Sequence, residues 1–379
     1  HRNLKHAGRR TILVMSSIRP LQRRDIPRVA SLYESVMRSG SRVPAPQLAA
    51  YFEQTFLDHP WADAEIPSLV YETKDGTIVG FLGSHVRRWR FDGQPVRARY
   101  NGQLIADPAA PSRGAGALLL RHSFGGPQDV TITDGATVEV RQMWERFGAT
   151  TIFLNSMGWE RFFRPFSFGG DYLFARAKRP RWNDYLRPLW SALDTAAAKI
   201  CDRSLGVGTP DTQVEPLTPQ TLLEHLPVVA GRLRVHADYD REFLDWLFAA
   251  MARVSSRGRL VRQLVRDRGN RVLGWYVAYF PAGDIGEVQQ LVAHERDMPA
   301  VMHQLFYDAR RSGVTALRGR LEPRLFESVR HRHFYLRHEA SVVIHSRHAD
   351  LISAVLAGDA LLTRMDGEWW MGHHTETFT

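Results

Sequence analysis

The residues from Ile105 to Arg121 carry the strongest chemical signal in the chain. An apolar strand runs into a turn punctuated by Pro108 and Pro111, and Arg113-Gly114-Ala115-Gly116-Ala117 then opens an apolar helical run. Small residues there let backbone N–H groups approach a ligand closely, and a helix N-terminus concentrates positive potential on it. That combination can hold a pyrophosphate. A dinucleotide fingerprint needs a third glycine three positions after Gly116, where Leu119 stands, and a P-loop needs a Gly-Lys-Ser/Thr that is missing. The plainer reading is a turn that joins a strand to a helix, so the surrounding elements must decide.

Other reactive residues carry less. His331-Arg332-His333 and His373-His374 lack helical zinc spacing with a third ligand nearby, so no metal is expected. Cys201 is the single cysteine, which excludes an intrachain disulfide, fits a reducing cytoplasm and reads as a small core or linker residue. No Ser/His/Asp or Cys/His triad order stands out. Asp366-Gly367-Glu368-Trp369-Trp370 reads as a turn with an aromatic anchor; packing is its plain explanation and a substrate-lining role the sharper one.

The net charge of +10 favours anionic partners, among them phosphorylated cosubstrates, an acidic carrier protein, a membrane surface or RNA. The basic residues are spread along the whole chain, with no RNA-binding motif among them, and no DNA partner is expected. No run approaches the ~18 apolar residues of a membrane span. The basic leader His1–Arg10 is followed by too short an apolar run for a signal peptide, so 1–14 reads as an extension ahead of Met15.

The positioning elements follow from periodicity. Ser17–Leu21 is a short strand, and Asp25 caps a helix with Ile26, Val29, Ala30, Tyr33, Val36 and Met37 at helical spacing. A second helix covers Gln47–Leu57. Strands at Ser68–Thr73 and Ile78–Arg90 meet at Asp75-Gly76, and Val96–Ala106 feeds the Gly-rich turn and a helix to about Ser123. Val130–Thr133, Thr137–Phe147 and Thr150–Asn155 follow as strand, helix and strand.

This order, with the Gly-rich turn between the fourth strand and the third helix, resembles the GNAT (Gcn5-related N-acetyltransferase) superfamily over residues 15–165. The family's Arg/Gln-x-x-Gly-x-Gly/Ala loop is similar to Arg113-Gly114-Ala115-Gly116-Ala117, with Leu118 at its last small position. The resemblance implies an acyl-CoA cosubstrate, probed by Arg113, Gly114, Ala115, Gly116 and Ala117 at the pyrophosphate. It also implies that the pantetheine arm lies between splayed fourth and fifth strands, and that backbone donors from Leu104, Ile105, Ala106 and Asp107 polarise the thioester. The family's base position falls at Tyr100 and Asn101, neither a carboxylate. Asp134 falls near the pantetheine, where it serves as base, as a contact for a cationic amine, or as a plain helix cap. Where many members carry a tyrosine acid, this chain has Trp144.

Residues 166–213 form a connecting segment in which Trp182, Tyr185, Leu186, Leu189, Trp190 and Leu193 make an amphipathic helix, an interdomain packing face in preference to a membrane-surface one. From Val214 the same grammar restarts through 214–379. Its helices are Glu242–Met251, Asp297–Ser312 and Pro323–Arg332; its strands are Leu260–Arg266, Val272–Phe280, Glu287–Ala293, Val314–Arg318 and Ala340–His345. Its equivalent turn, His294-Glu295-Arg296-Asp297, has no glycine and two carboxylates, so this half is expected to bind no CoA.

The expected fold class is therefore α/β (α+β), two tandem GNAT-like domains, each a mixed, mostly antiparallel sheet flanked by helices. The expected function is a cytoplasmic N-acyltransferase. It moves an acyl group, acetyl first, from acyl-CoA to an amine of a small molecule such as an amino sugar, by direct attack on the thioester. The alternatives are an acyl carrier protein or aminoacyl-tRNA as donor, or a non-catalytic acyl-CoA-binding module.

Overall fold

A computed structural model of the chain describes residues 16–38, 46–110, 114–176, 180–200, 207–330 and 334–372. Arg113, Cys201, His331-Arg332-His333, His373-His374 and the 1–14 leader lie outside the described residues. In chain order the strands are β1 (Ser17–Pro20), β2 (Leu69–Glu72), β3 (Ile78–Phe91), β4 (Gln94–Ala106), β5 (Val130–Ala136), β6 (Thr150–Thr151), β7 (Met157–Phe162) and β8 (Gln213–Pro216). They continue as β9 (Val235–Ala237), β10 (Arg259–Arg266), β11 (Val272–Phe280), β12 (Ile285–Ala293), β13 (Ala316–Arg320), β14 (Tyr335–His338) and β15 (Ser341–Ser346).

Among the described residues these strands form two sheets with the same plan. One runs β1-β2-β3-β4-β5-β15-β6, with β9 added beside β3; the other runs β14-β7-β13-β12-β11-β10-β8. In both, one parallel pair interrupts an otherwise antiparallel order: β4 with β5, and β12 with β13. The repeat expected from element order is present in the fold.

The halves also exchange a strand. β7, from the first half of the sequence, pairs with β13 and β14, while β15, from the second, inserts between β5 and β6. The expected strand Thr150–Asn155 shrinks to Thr150–Thr151 and a 3-10 turn at Leu154–Ser156, and the exchanged strand starts at Met157. Val342 N–H donates to Ser156 Oγ at 2.9 Å, which ties the two crossings together. Local periodicity cannot reveal such a partner, because a strand looks the same in either sheet.

The core is shared as well. One apolar cluster joins Trp61, Trp89, Tyr100 and Ile132 of the first half to Tyr239, Phe243, Leu247 and Trp275 of the second. The Trp61 and Phe243 rings stack with centroids 3.6 Å apart, and Trp61 Nε1 donates to Asp240 Oδ2 at 2.8 Å. Leu361, Met365, Trp370 and Met371 of the C-terminal segment belong to the same cluster, which holds that segment between the sheets.

One local expectation is corrected. Asp25 occupies the cap position of the helix Ile26–Met37 but makes no cap bond to it; its carboxylate accepts the Gln22 N–H at 2.8 Å, closing the capping box of the preceding 3-10 turn, and pairs with Arg19. The helix Pro180–Ile200 packs on the helix Pro165–Arg176, whose first N–H groups are capped by Asp194, and it leaves Tyr185 82 % exposed. Among the described residues no helix is long and apolar enough to cross a membrane.

Candidate active site

β4 and β5 pair only at Ala98↔Val130, Arg99↔Thr131 and Tyr100↔Ile132, and diverge beyond. A β-bulge reinforces the divergence. Gln103 adopts φ +52°, and Gln103 and Leu104 together face the single residue Leu82 of β3. Bulges re-aim a strand at the cost of a ladder position. The resulting gap holds a cavity of about 120 Å3 lined by Gln103, Leu104, Thr133, Trp144 and Glu368, among others.

The helix Ala115–Phe124 begins at the mouth of this region, after Gly114 at φ +97°. That left-handed conformation is natural to glycine and strained for other residues. Among the described residues no side chain caps the helix and no acidic residue stands in its first turn, an arrangement that suits an anion at its leading N–H groups. Gly116 faces Leu104, with room for a Cβ at 3.8 Å.

The sequence-predicted residues separate in space. Tyr100 is buried in the shared core, edge-on to Trp89 and near the Arg87 guanidinium. Burial, helped by the charges of Asp366 and Asp134, holds its phenol well above 10, which keeps it protonated and removes it from proton abstraction. Asn101 borders the gap, but its side chain is held by Arg99 at 2.9 Å, Ser84 at 3.3 Å and Ser123 at 2.9 Å. Leu104 lines the gap; the Asp107 N–H is already committed to the Val79 carbonyl at 2.8 Å, and Ile105, two residues earlier opposite Phe81, turns its N–H to the same neighbour, which leaves Leu104 and Ala106 of the expected backbone donors facing the gap.

Asp134 is buried and is no helix cap; Thr137 caps the following helix instead. Its carboxylate pairs with Arg320 from β13 of the other sheet at 2.9 Å. It also accepts the Glu368 N–H at 3.3 Å, while its carbonyl accepts Trp369 Nε1–H at 2.8 Å. The C-terminal segment is thus fastened to the end of β5.

That fastening delivers the group that sequence reasoning missed. The Glu368 carboxylate sits in the gap, where Gln103 Nε2 donates to it at 3.1 Å, and a Cβ on either Gly102 or Gly135 would overlap it. Desolvation, with repulsion from Asp134 second, pushes its pKa up to about 8. A carboxylate so placed is a proton acceptor matched to neutral or mildly alkaline pH. The local signals were the Asp366–Trp370 turn, read as packing or substrate lining and not as a base, and the glycines flanking the gap at 102 and 135.

The same segment treats the second gap differently. β12 and β13 pair only from Ile285↔Ala316 to Glu287↔Arg318, but Met365 N–H then bonds the Gln289 carbonyl at 2.9 Å within the gap. Arg364 is buried beside it and ion-pairs with Glu339, and a cavity of only about 10 Å3 is left there. At the head of the following helix, Asp297 is held by Arg271 at 2.9 and 3.1 Å, which places a carboxylate where the first half has Gly114. Among the described residues no group of three metal-ligating side chains converges.

No family model and no curated protein matches the sequence. Solved structures do. The chain is similar to a GCN5-related N-acetyltransferase from Anabaena variabilis, with a TM-score of 0.56 at 10% identity over 87% of this chain and 72% of that one. It is similar to a GCN5-related N-acetyltransferase from Kribbella flavida, with a TM-score of 0.50 at 14% identity over 87% and 72%. It is also similar to Saccharomyces cerevisiae N-myristoyltransferase, solved with bound myristoyl-CoA, with a TM-score of 0.50 at 9% identity over 88% and 80%. Two sheets of one plan, each with a splayed parallel pair and each lending a strand to the other, give this chain the tandem GNAT fold.

Proposed function

We propose that the chain is an N-acyltransferase in which an acyl-CoA thioester donates to the amine of a small molecule. The observation that carries this reading is the conjunction at the first gap: a helix N-terminus that follows Gly114, with no side-chain cap among the described residues, a splayed strand pair, and the Glu368 carboxylate between its edges. The helix N-terminus suits the pyrophosphate, contributing up to about 2 kcal/mol per interaction in partly buried geometry. The unpaired edges of β4 and β5 suit the amide-bearing pantetheine arm, which adds as an extended strand. Backbone N–H groups of Leu104 and Ala106 polarise the thioester carbonyl, and Glu368 takes the amine proton. The second half supplies Arg320 and the C-terminal segment rather than a second donor site.

Calorimetric titration with acetyl-CoA tests the donor site. Gly116→Asp adds a carboxylate at the helix N-terminus, where the backbone leaves space for its Cβ. Wild-type protein should bind one acetyl-CoA per chain, and the variant should lose at least tenfold in affinity while keeping its thermal transition. Equal affinity in a folded Gly116→Asp protein refutes the donor site. Absence of binding by both turns the reading toward a carrier-protein or tRNA donor.

A further inference from the structure

A cavity of about 310 Å3 lies between the halves, walled by the helices Pro46–Phe56 and Arg241–Ala252 and by the end of the C-terminal segment. Its apolar lining is Ala50, Tyr51, Trp246, Ala250, Val254 and Trp370. Trp246 and Trp370 meet edge to face with centroids 5.8 Å apart, and Tyr51 Oη accepts the Gly372 N–H at 2.7 Å, which pins the segment against the wall. No Asp or Glu lines the cavity among the described residues. Its charged lining group is Arg253, which donates to Gln54 Oε1 at 2.9 Å.

This chemistry selects. Aromatic walls with few polar groups bind flat apolar bodies, and a polycation entering here would meet Arg253 and no carboxylate. The cavity shares no lining residue with the gap that holds Glu368, and the C-terminal segment runs from one to the other. Trp370 follows Glu368 by two residues, so their Cα atoms lie within about 7 Å. The geometry points to an acceptor that is a primary amine on a short arm attached to an aromatic body, the body seated against Trp246 and Trp370 and the amine directed toward Glu368. An amino sugar or polyamine fits poorly.

The inference deepens the acyl-transfer reading and rests on it only for the fate of the bound amine. In the transfer, the amine lone pair forms the C–N bond to the thioester carbonyl carbon, and the C–S bond breaks with its electron pair on sulfur. The amine proton passes to the Glu368 carboxylate and returns through water to the thiolate. No further reactant is needed.

Binding, read by calorimetry on the full chain, tests the pocket separately from turnover. The probes are tryptamine, glucosamine and spermidine, each with and without acetyl-CoA. Ala250→Trp fills the cavity from one helix; Ala50→Phe, at an exposed position on the facing helix, fills it with less risk to folding. Tryptamine should bind wild-type protein, and at least tenfold more weakly in the folded variants, with acetyl-CoA affinity unchanged. Tighter binding of glucosamine or spermidine than of tryptamine overturns the inference, as does tryptamine binding indifferent to both substitutions. Acetyl-CoA binding without tryptamine binding overturns the pocket alone. Tryptamine binding that depends on Ala250 or Ala50 without acetyl-CoA binding supports the pocket and overturns the donor reading.

Discussion

Glu368→Gln should make the protein inactive and, at alkaline pH, more stable. The Glu368 carboxyl is buried against Asp134, with a pKa pushed up to about 8 from an ordinary 4.5. A carboxyl whose folded pKa is raised binds an extra proton in the folded state between those two values. Stability therefore falls as pH rises from 4.5 to 8 and levels off above it, by about 1.4 kcal/mol per pH unit and at most about 5 kcal/mol in all. Glutamine matches the shape beside Gly102 and Gly135, keeps an acceptor for Gln103 and carries no charge, so this slope should vanish from chemical denaturation curves at pH 5, 7 and 9. Activity moves the other way. With a pKa of about 8, roughly one-tenth of the carboxylate is ionised at pH 7, so wild-type turnover of acetyl-CoA and amine should rise about tenfold toward pH 9. Loss of a general base costs on the order of 10²–10⁴-fold. A Gln variant with wild-type turnover would refute the assignment, and so would a wild-type pH–rate inflection near 4.5 or an unchanged stability slope.

Two further outcomes follow from the packing around this site. Gly367→Ala places a Cβ on the Asp134 carboxylate, which is itself held by Arg320. Either the buried ion pair breaks, a loss of about 3–5 kcal/mol, or the segment carrying Glu368 lifts away. The melting temperature and turnover should therefore both fall, whereas retained activity at wild-type stability would show that the segment has slack. His59 is buried, and desolvation, with the charge of Arg87 second, lowers its pKa to about 3. A base depressed in this way stays neutral in the fold, so stability is lost as pH falls from about 6.5 toward 3. Denaturation curves should show about 2 kcal/mol less stability at pH 5 than at pH 6.5 from this group, and His59→Phe should remove that difference.

Much of this protein was legible locally. Helices such as Ile26–Met37 and Met298–Arg311 follow from apolar spacing, and the Asp75-Gly76 hairpin from a glycine at φ +83°. The helix N-terminus at Gly114 was readable because its chemistry lies in consecutive residues. Tandem repetition was readable too, since element order survives without residue identity. The candidate base was not readable. Counting back from the Gly-rich turn pointed to Tyr100 and Asn101, one in the shared core and the other bound on both sides of its amide.

What the sequence by itself determined is most of the helices and hairpins and the glycine-led helix start at Gly114, because each is stabilised by neighbours within one turn or one hairpin. Tertiary structure alone decided which sheet receives β7 and β15. It also decided that Glu368 stands in the first gap while Arg364 and Met365 occupy the second. Gln103 and Glu368 are 265 positions apart in the chain, and Asp134 and Glu368 are 234 apart. Their meeting depends on a common core between the halves, and burial there, rather than residue type, raises the Glu368 pKa into the range where it can serve as a base.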